Sequence, residues 1–179
     1  MRARLLAFII LWAHVPDIGI AGDIEDTGYR FEPYRAPTPP RLAGATTLDT
    51  STAERLWREG TALFIDVMPR DARPANLPAG TVWRERRRDN IPGSVWLPNV
   101  GYGALSEEVE AYFRRSLVAV TADDPTRALV FYCQVDCWMS WNAAKRAVAL
   151  GYAGVHWYPE GTDGWSVANL PLAEAQPRP

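Results

Sequence analysis

The sequence predicts an α/β fold: an open parallel sheet flanked by helices, in a single domain that follows an extended N-terminal arm. Three observations predict it. Short, near-continuous apolar runs such as "ALFIDV" (62–67) and "ALVFY" (128–132) have the character of strands buried on both faces. Segments with helical spacing and end signals lie between them, which implies parallel βαβ units. The chain has 179 residues, 47% of them hydrophobic, enough for one domain with a proper core.

The first segment reads as a targeting signal. Arg2 and Arg4 precede an apolar run from Leu5 to Ala13, and small residues follow at Gly19, Ala21 and Gly22. That order reads as a secretory leader, 1–21, cut near Ala21 on export; an uncleaved amphiphilic anchor is the alternative. The run is short for a bilayer span, and no later segment is apolar for long enough. The mature protein is therefore expected in the periplasm, without stable membrane insertion. Residues 22–45 are rich in Pro, Gly and Arg and suit neither a regular helix nor a central strand. They read as an extended arm whose Tyr29, Phe31 and Tyr34 can dock on the domain.

The domain itself spans 46–172, with a tail at 173–179. "TTLD" (46–49) is a short strand, and the helix after it takes Thr50 or Ser51 as its cap and ends at Gly60. The strand "ALFIDV" leads into a long loop rich in Pro and Arg that runs to Asn90. "SVWLP" (94–98) is the next strand. A helix over 105–121 has Ser106 as cap, early acids, and Val109, Tyr112, Phe113 and Leu117 at helical spacing. The strand "ALVFY", a helix closed by Gly151, and the strand "GVHWY" (154–158) complete the order. Ligands in such sheets bind beyond the carboxyl ends of the strands. Loops starting at Met68, Asn99, Cys133 and Pro159 are expected to meet there.

Charge narrows the partners. The net charge is -2, which suggests neither nucleic acid nor an anionic membrane. The basic run "WRERRRDN" (83–90) is short, contains acids and reads as a solvated loop. Both cysteines of the chain, Cys133 and Cys137, lie in "FYCQVDCWMSW" (131–141). Their spacing is neither that of a zinc ribbon nor a C-x-x-C, and no His follows to mark haem attachment. His14 leaves with the leader, and His156 reads as a strand histidine, so a Cys/His zinc site is not expected. Met139 reads as core rather than as a copper ligand. No metal and no cofactor are expected. In an oxidising compartment the two thiols can form a disulfide.

The ordered set "ALFIDVMPR", "NIPGSVWLP", "ALVFYC" and "GYAGVHWYPEGTDGW" resembles a rhodanese-like domain over about Thr46 to Leu172. Ile91 to Ser94 match the family's turn before a strand, and Gly151, Tyr152, Val155, Gly161 and Trp165 match its closing pattern. Cys133 falls on the position of the persulfide-forming cysteine. "CQVDCWMSWNAAKR" with "WYPEGTDGW" is similar to the exported Cys…Cys-Trp motif proteins associated with pyrroloquinoline-quinone-dependent catabolism. The resemblance implies a rhodanese-like sheet, a sulfurtransferase or thiol redox role, and a periplasmic quinoprotein dehydrogenase or thiol redox protein as partner. It implies no quinone site on this chain. The loop departs from the family: it lacks Gly and a terminal cation, and carries Asp136. An acid there repels a dianion such as thiosulfate, by about 1 kcal/mol or more at close range. Met139 stands where a phosphatase loop needs Arg.

A cysteine at a strand end facing a helix N-terminus sits among backbone N–H groups, which stabilise a thiolate. Cys133 is the candidate nucleophile. Cys137 suits a resolving thiol, attacking a persulfide or sulfenate on Cys133 to leave a disulfide; a merely structural disulfide is the alternative. Gln134, Val135, Asp136 and Trp138 complete the candidate loop. Arg70, with Arg73, can supply its missing positive field or simply face solvent. Asp66 is expected to fix backbone N–H groups. Glu160, Thr162 and Asp163 can offer a ligand N–H donors or only form a turn. Trp138, Trp141 and Trp165 are pocket walls or core. Two readings remain: a thiol enzyme, and a rhodanese-like binding module for a quinoprotein or its electron carrier that does no turnover.

Overall fold

The computed structural model describes residues 28–179. The leader and residues 22–27 of the arm lie outside the described residues. The elements in chain order are β1 (Thr46–Thr47), α1 (Thr50–Glu59), β2 (Leu63–Asp66), β3 (Asp89–Asn90), β4 (Val95–Trp96), α2 (Glu107–Thr121), β5 (Leu129–Tyr132), α3 (Trp138–Ala149), β6 (Val155–Trp157), α4 (Gly161–Val167) and β7 (Ala173–Glu174). No helix among the described residues is long and apolar enough to cross a membrane.

The main sheet is parallel throughout, in the order β1-β6-β5-β2-β4. Its two central strands, β2 and β5, pair over their whole length, from Leu63↔Leu129 to Asp66↔Tyr132. Alternation along β5 divides the core between the faces. Leu129 and Phe131 join Phe113 and Leu117 of α2 and Trp138, Met139 and Trp141 of α3. Val130 and Tyr132 join Ala53 of α1 and Trp165 of α4. Helices thus cover both faces, which is why β5 reads as an unbroken apolar run.

Local chemistry fixes the helix ends. The α1 cap is Asp49, whose carboxylate accepts the Thr52 N–H at 2.8 Å; neither Thr50 nor Ser51 takes that place. A carboxylate one residue earlier reaches the free N–H groups of the first turn and suits the helix dipole better than a hydroxyl. Gly60 closes α1 in the left-handed region, and its N–H reaches Leu56 and Trp57 carbonyls. Ser106 caps α2, with Glu107, Glu108 and Glu110 in the first turn.

Two segments depart from the sequence reading. The tail is structured: β7 pairs antiparallel with β3, Asp89 opposite Glu174 and Asn90 opposite Ala173. Beyond it, Pro177 bridges Trp96, the Arg178 N–H donates to the Trp96 carbonyl, and Tyr112 donates to the Arg178 carbonyl. The tail therefore lies along the outer edge of β4 and covers backbone groups that an edge strand leaves unpaired. "EGTDG" forms the first turn of α4 rather than an isolated turn. Both misreadings have one origin: two-residue strands and a seven-residue helix carry too few side chains to show a period.

Candidate thiol site at the end of the central strand

Cys133 follows β5 directly, and Cys137 is the N-cap of α3. The two form a disulfide with Cα atoms 6.5 Å apart, within the span a disulfide bridges. Four exit loops converge there. Gln134 forms an antiparallel bridge with Gly161, and the Thr162 N–H and hydroxyl both donate to the Cys133 carbonyl at 3.1 Å. The Arg70 N–H donates to the Asn99 side chain, tying the loop after β2 to the one after β4.

Gly161 makes the closest approach. It has φ +52, and a Cβ placed on it would stand 2.7 Å from the carbon and oxygen of Cys133 and the nitrogen of Gln134. All three are backbone atoms and cannot swing aside. Gly161→Ala is expected to cost roughly 1–3 kcal/mol from the left-handed conformation alone, and more from the clash. A urea midpoint within error of the wild type would contradict this.

The cation of the site comes from the run that reads as solvated. The Arg88 Nε donates to Asp66 Oδ2 at 2.8 Å, and Nη2 donates to the Cys133 carbonyl at 3.3 Å. Asp66 is fully buried and the Arg88 side chain is 14% exposed. Asp66 also accepts the Met68 N–H at 2.9 Å, so it fixes loop backbone as expected. Burial pushes the Asp66 carboxyl above its ordinary value, and the Arg88 charge and hydrogen bond pull it back. The sequence signal for Arg88 was indirect: an acid ending a central strand is buried, and a buried carboxylate needs a cation. Arg88 precedes the "IPGS" turn, which is itself tied to β5, since Ile91 donates to the Tyr132 hydroxyl and that hydroxyl donates to Ser94.

Arg70 does not supply the expected field. Its guanidinium pairs with Glu85 and is about half exposed, and Arg86 pairs with Asp71 beside it. These two pairs neutralise the base of the long loop. Glu160 also points elsewhere: its carboxylate accepts from Thr50 of α1, whose hydroxyl also contacts the Tyr158 hydroxyl at 2.8 Å. Asp163 does belong to the site. It accepts the Val135 N–H at 3.2 Å and faces the Arg35 guanidinium at 3.7 Å. Trp138, Trp141 and Trp165 are core, each at most 5% exposed. His156 is a half-buried strand residue of β6, and burial lowers its pKa. Among the described residues no group of three or more His, Cys, Asp or Glu is placed to hold a metal.

The surroundings of the sulfur differ from the expectation of converging N–H donors. In this disulfide form the Gln134 and Cys137 carbonyls each lie 3.8 Å from Cys133 Sγ. The Val135 N–H is taken by Asp163, and the Trp138 N–H, first of α3, by the Tyr34 carbonyl of the arm. In this form Asp136 lies at φ +54, Cys133 is fully buried and Cys137 is 5% exposed. The arm docks here through a single antiparallel bridge and neighbouring hydrogen bonds. Arg35 pairs antiparallel with Cys137, Ala36 donates to the Asp136 carbonyl, and Trp138 Nε1 donates to the Pro37 carbonyl.

A parallel sheet with helices on both faces and a cysteine leading from its central strand into a helix defines a class of domain. The chain belongs to the rhodanese-like domain family, whose model matches residues 49–168. Among solved structures it is similar to the polysulfide-sulfur transferase homodimer from Wolinella succinogenes, at 20% identity and a TM-score of 0.46, over 73% of this chain and 80% of that one. It is also similar to a human single-domain sulfurtransferase, at 23% identity and 0.43, over 70% and 96%. A third is an uncharacterized protein from Saccharomyces cerevisiae, at 17% and 0.41, over 69% and 92%. No curated protein matches the chain.

Proposed function

We propose that this protein is an exported thiol protein that moves sulfur or electrons through Cys133, with Cys137 as the resolving thiol. The observation that carries the reading is the Cys133–Cys137 disulfide itself, set where a β5-to-α3 loop meets three other strand exits. A purely structural purpose is poorly served by it. The closed loop has a sequence separation of 4, and so short a loop restrains the unfolded chain by only about 2 kcal/mol, the low end for disulfides.

The chemistry balances as follows. In the reduced protein the Cys133 thiolate attacks a sulfane sulfur of a polysulfide, forming Cys133–S–SH and a polysulfide one sulfur shorter. The Cys137 thiolate then attacks Cys133 Sγ. The Sγ–Sγ bond forms, the bond to the outer sulfur breaks, and hydrosulfide leaves. A dithiol reductant, the partner, restores both thiols and is itself oxidised. Asp136 and the absence of a cation within the loop weaken the binding of any dianionic donor, thiosulfate and polysulfide alike. The leader pattern and the resemblance to Cys…Cys-Trp proteins support a periplasmic location and a link to quinoprotein-dependent alcohol catabolism. Cell fractionation tests the location.

A second reading, a binding module without turnover, is favoured by the burial of both sulfurs and by the engagement of Arg88 with Asp66. Reduced protein mixed with polysulfide separates the two. The thiol reading expects one hydrosulfide released for each disulfide formed. The module reading expects none.

A further inference from the structure

We propose that residues 32–38 of the arm are a displaceable strap that holds the cysteine loop in its unreactive form, so that reduction of the disulfide and release of the strap are coupled. This deepens the thiol reading of the same site and rests on it.

The strap is anchored at both ends and weakly held between. On one side, buried Asn142 of α3 grips the backbone of Arg30, accepting its N–H at 2.9 Å and donating to its carbonyl at 2.8 Å. On the other side Leu42 is buried in the core. Between these points no residue from Glu32 to Thr38 is buried. The crossing is held by the Tyr34 ring against Tyr102 and its hydroxyl to the Gly103 N–H, by partial packing of Tyr34 and Ala36 on the core, by the exposed Arg35–Asp163 pair, and by single hydrogen bonds at Tyr34, Ala36 and Pro37. A segment with few buried contacts opens at low cost while its anchors stay in place.

What the strap covers makes the opening chemical as well as steric. The Tyr34 carbonyl occupies the N–H of Trp138, the donor at the start of α3 that a thiolate would use. The Asp136 carbonyl, which receives the Ala36 N–H, lies inside the ring that the disulfide closes. The strap thus binds the loop in the geometry it has with the disulfide closed. Reciprocity follows: if the disulfide favours docking, docking favours the disulfide by the same factor. An incoming dithiol meets a buried sulfur pair until the strap lifts. Once reduced, the loop loses the geometry that receives the strap, and the Trp138 N–H becomes free for the sulfur.

Two full-length variants test this. Tyr34→Ala removes one aromatic contact and one hydrogen bond, and is expected to speed reduction by dithiothreitol about tenfold. Arg35→Glu changes an exposed side chain that cannot unfold the domain, sets a like charge against Asp163, and is expected to speed it several-fold, less so at high salt. Both should shift the thiol-disulfide equilibrium toward the dithiol by similar factors, and the Ala36 amide should exchange faster in the reduced wild type. Unchanged reduction rates in both variants overturn the strap. Faster reduction without hydrosulfide release from polysulfide upholds the strap and overturns the thiol enzyme. Hydrosulfide release with unchanged reduction rates does the reverse.

Discussion

Arg88→Met is expected to destabilise the protein by about 3–5 kcal/mol at neutral pH, the cost of leaving one partner of a buried pair uncompensated. Asp66 is fully buried and pairs with the Arg88 guanidinium, and the same arginine holds the Cys133 carbonyl. The pH dependence has a definite sign. Burial raises the folded-state value of Asp66, so stability falls as pH rises from the ordinary 3.8 through the raised value. Removing Arg88 removes the influence that pulls this value back, so the fall becomes larger and extends higher. The deficit of Arg88→Met should therefore be greatest at neutral pH and shrink as pH falls toward the ordinary 3.8, vanishing below it, where Asp66 becomes protonated in both states. Adding Asp66→Asn to Arg88→Met should recover much of the loss at neutral pH. Urea unfolding of the single and double variants checks both points. A pH-independent deficit, or no recovery, would place the effect in lost packing instead of charge.

The second large effect concerns the two cysteines, which are not equivalent. Cys133 directly follows β5, and its carbonyl is fixed by Arg88 and by both donors of Thr162. Cys137 caps α3 at the far end of the loop, flanked by Asp136 and Trp138, whose backbone groups bind the arm. The strand-exit position suits the nucleophile and the helix-cap position suits the resolver. Cys133→Ser is expected to abolish sulfur uptake, a loss limited only by the detection floor. Cys137→Ser should retain uptake and lose only hydrosulfide release. Alkylation of each single variant across pH measures the same asymmetry, because the thiolate is the reactive form. Equal rates and equal uptake would remove the distinction between the two roles.

Much of the framework was legible because it rests on patterns longer than a turn. β2 and β5 show as unbroken apolar runs since helices cover both faces, and α2 shows in its cap, its early acids and its apolar spacing. The place of Cys133 followed from the order of elements alone. What escaped depends on pairings between distant segments. Arg88 lies 45 residues from the cysteine whose carbonyl it binds, within a run whose other arginines are exposed. β3 and β7 are two residues each and exist by pairing with one another. The arm was expected to dock through its aromatic residues, and Tyr34 does so. That its backbone would bridge to Cys137 has no side-chain signature.

The most direct test of the central claim is the intact mass of reduced Cys137→Ser protein after brief exposure to polysulfide. Without a resolving thiol the persulfide has no internal way to leave. The expected result is a gain of one sulfur atom, mapped to Cys133, stable in the absence of added thiol and removed with hydrosulfide release when a dithiol is supplied. An unmodified mass under conditions where a free peptide thiol is persulfidated would contradict the nucleophile-and-resolver account.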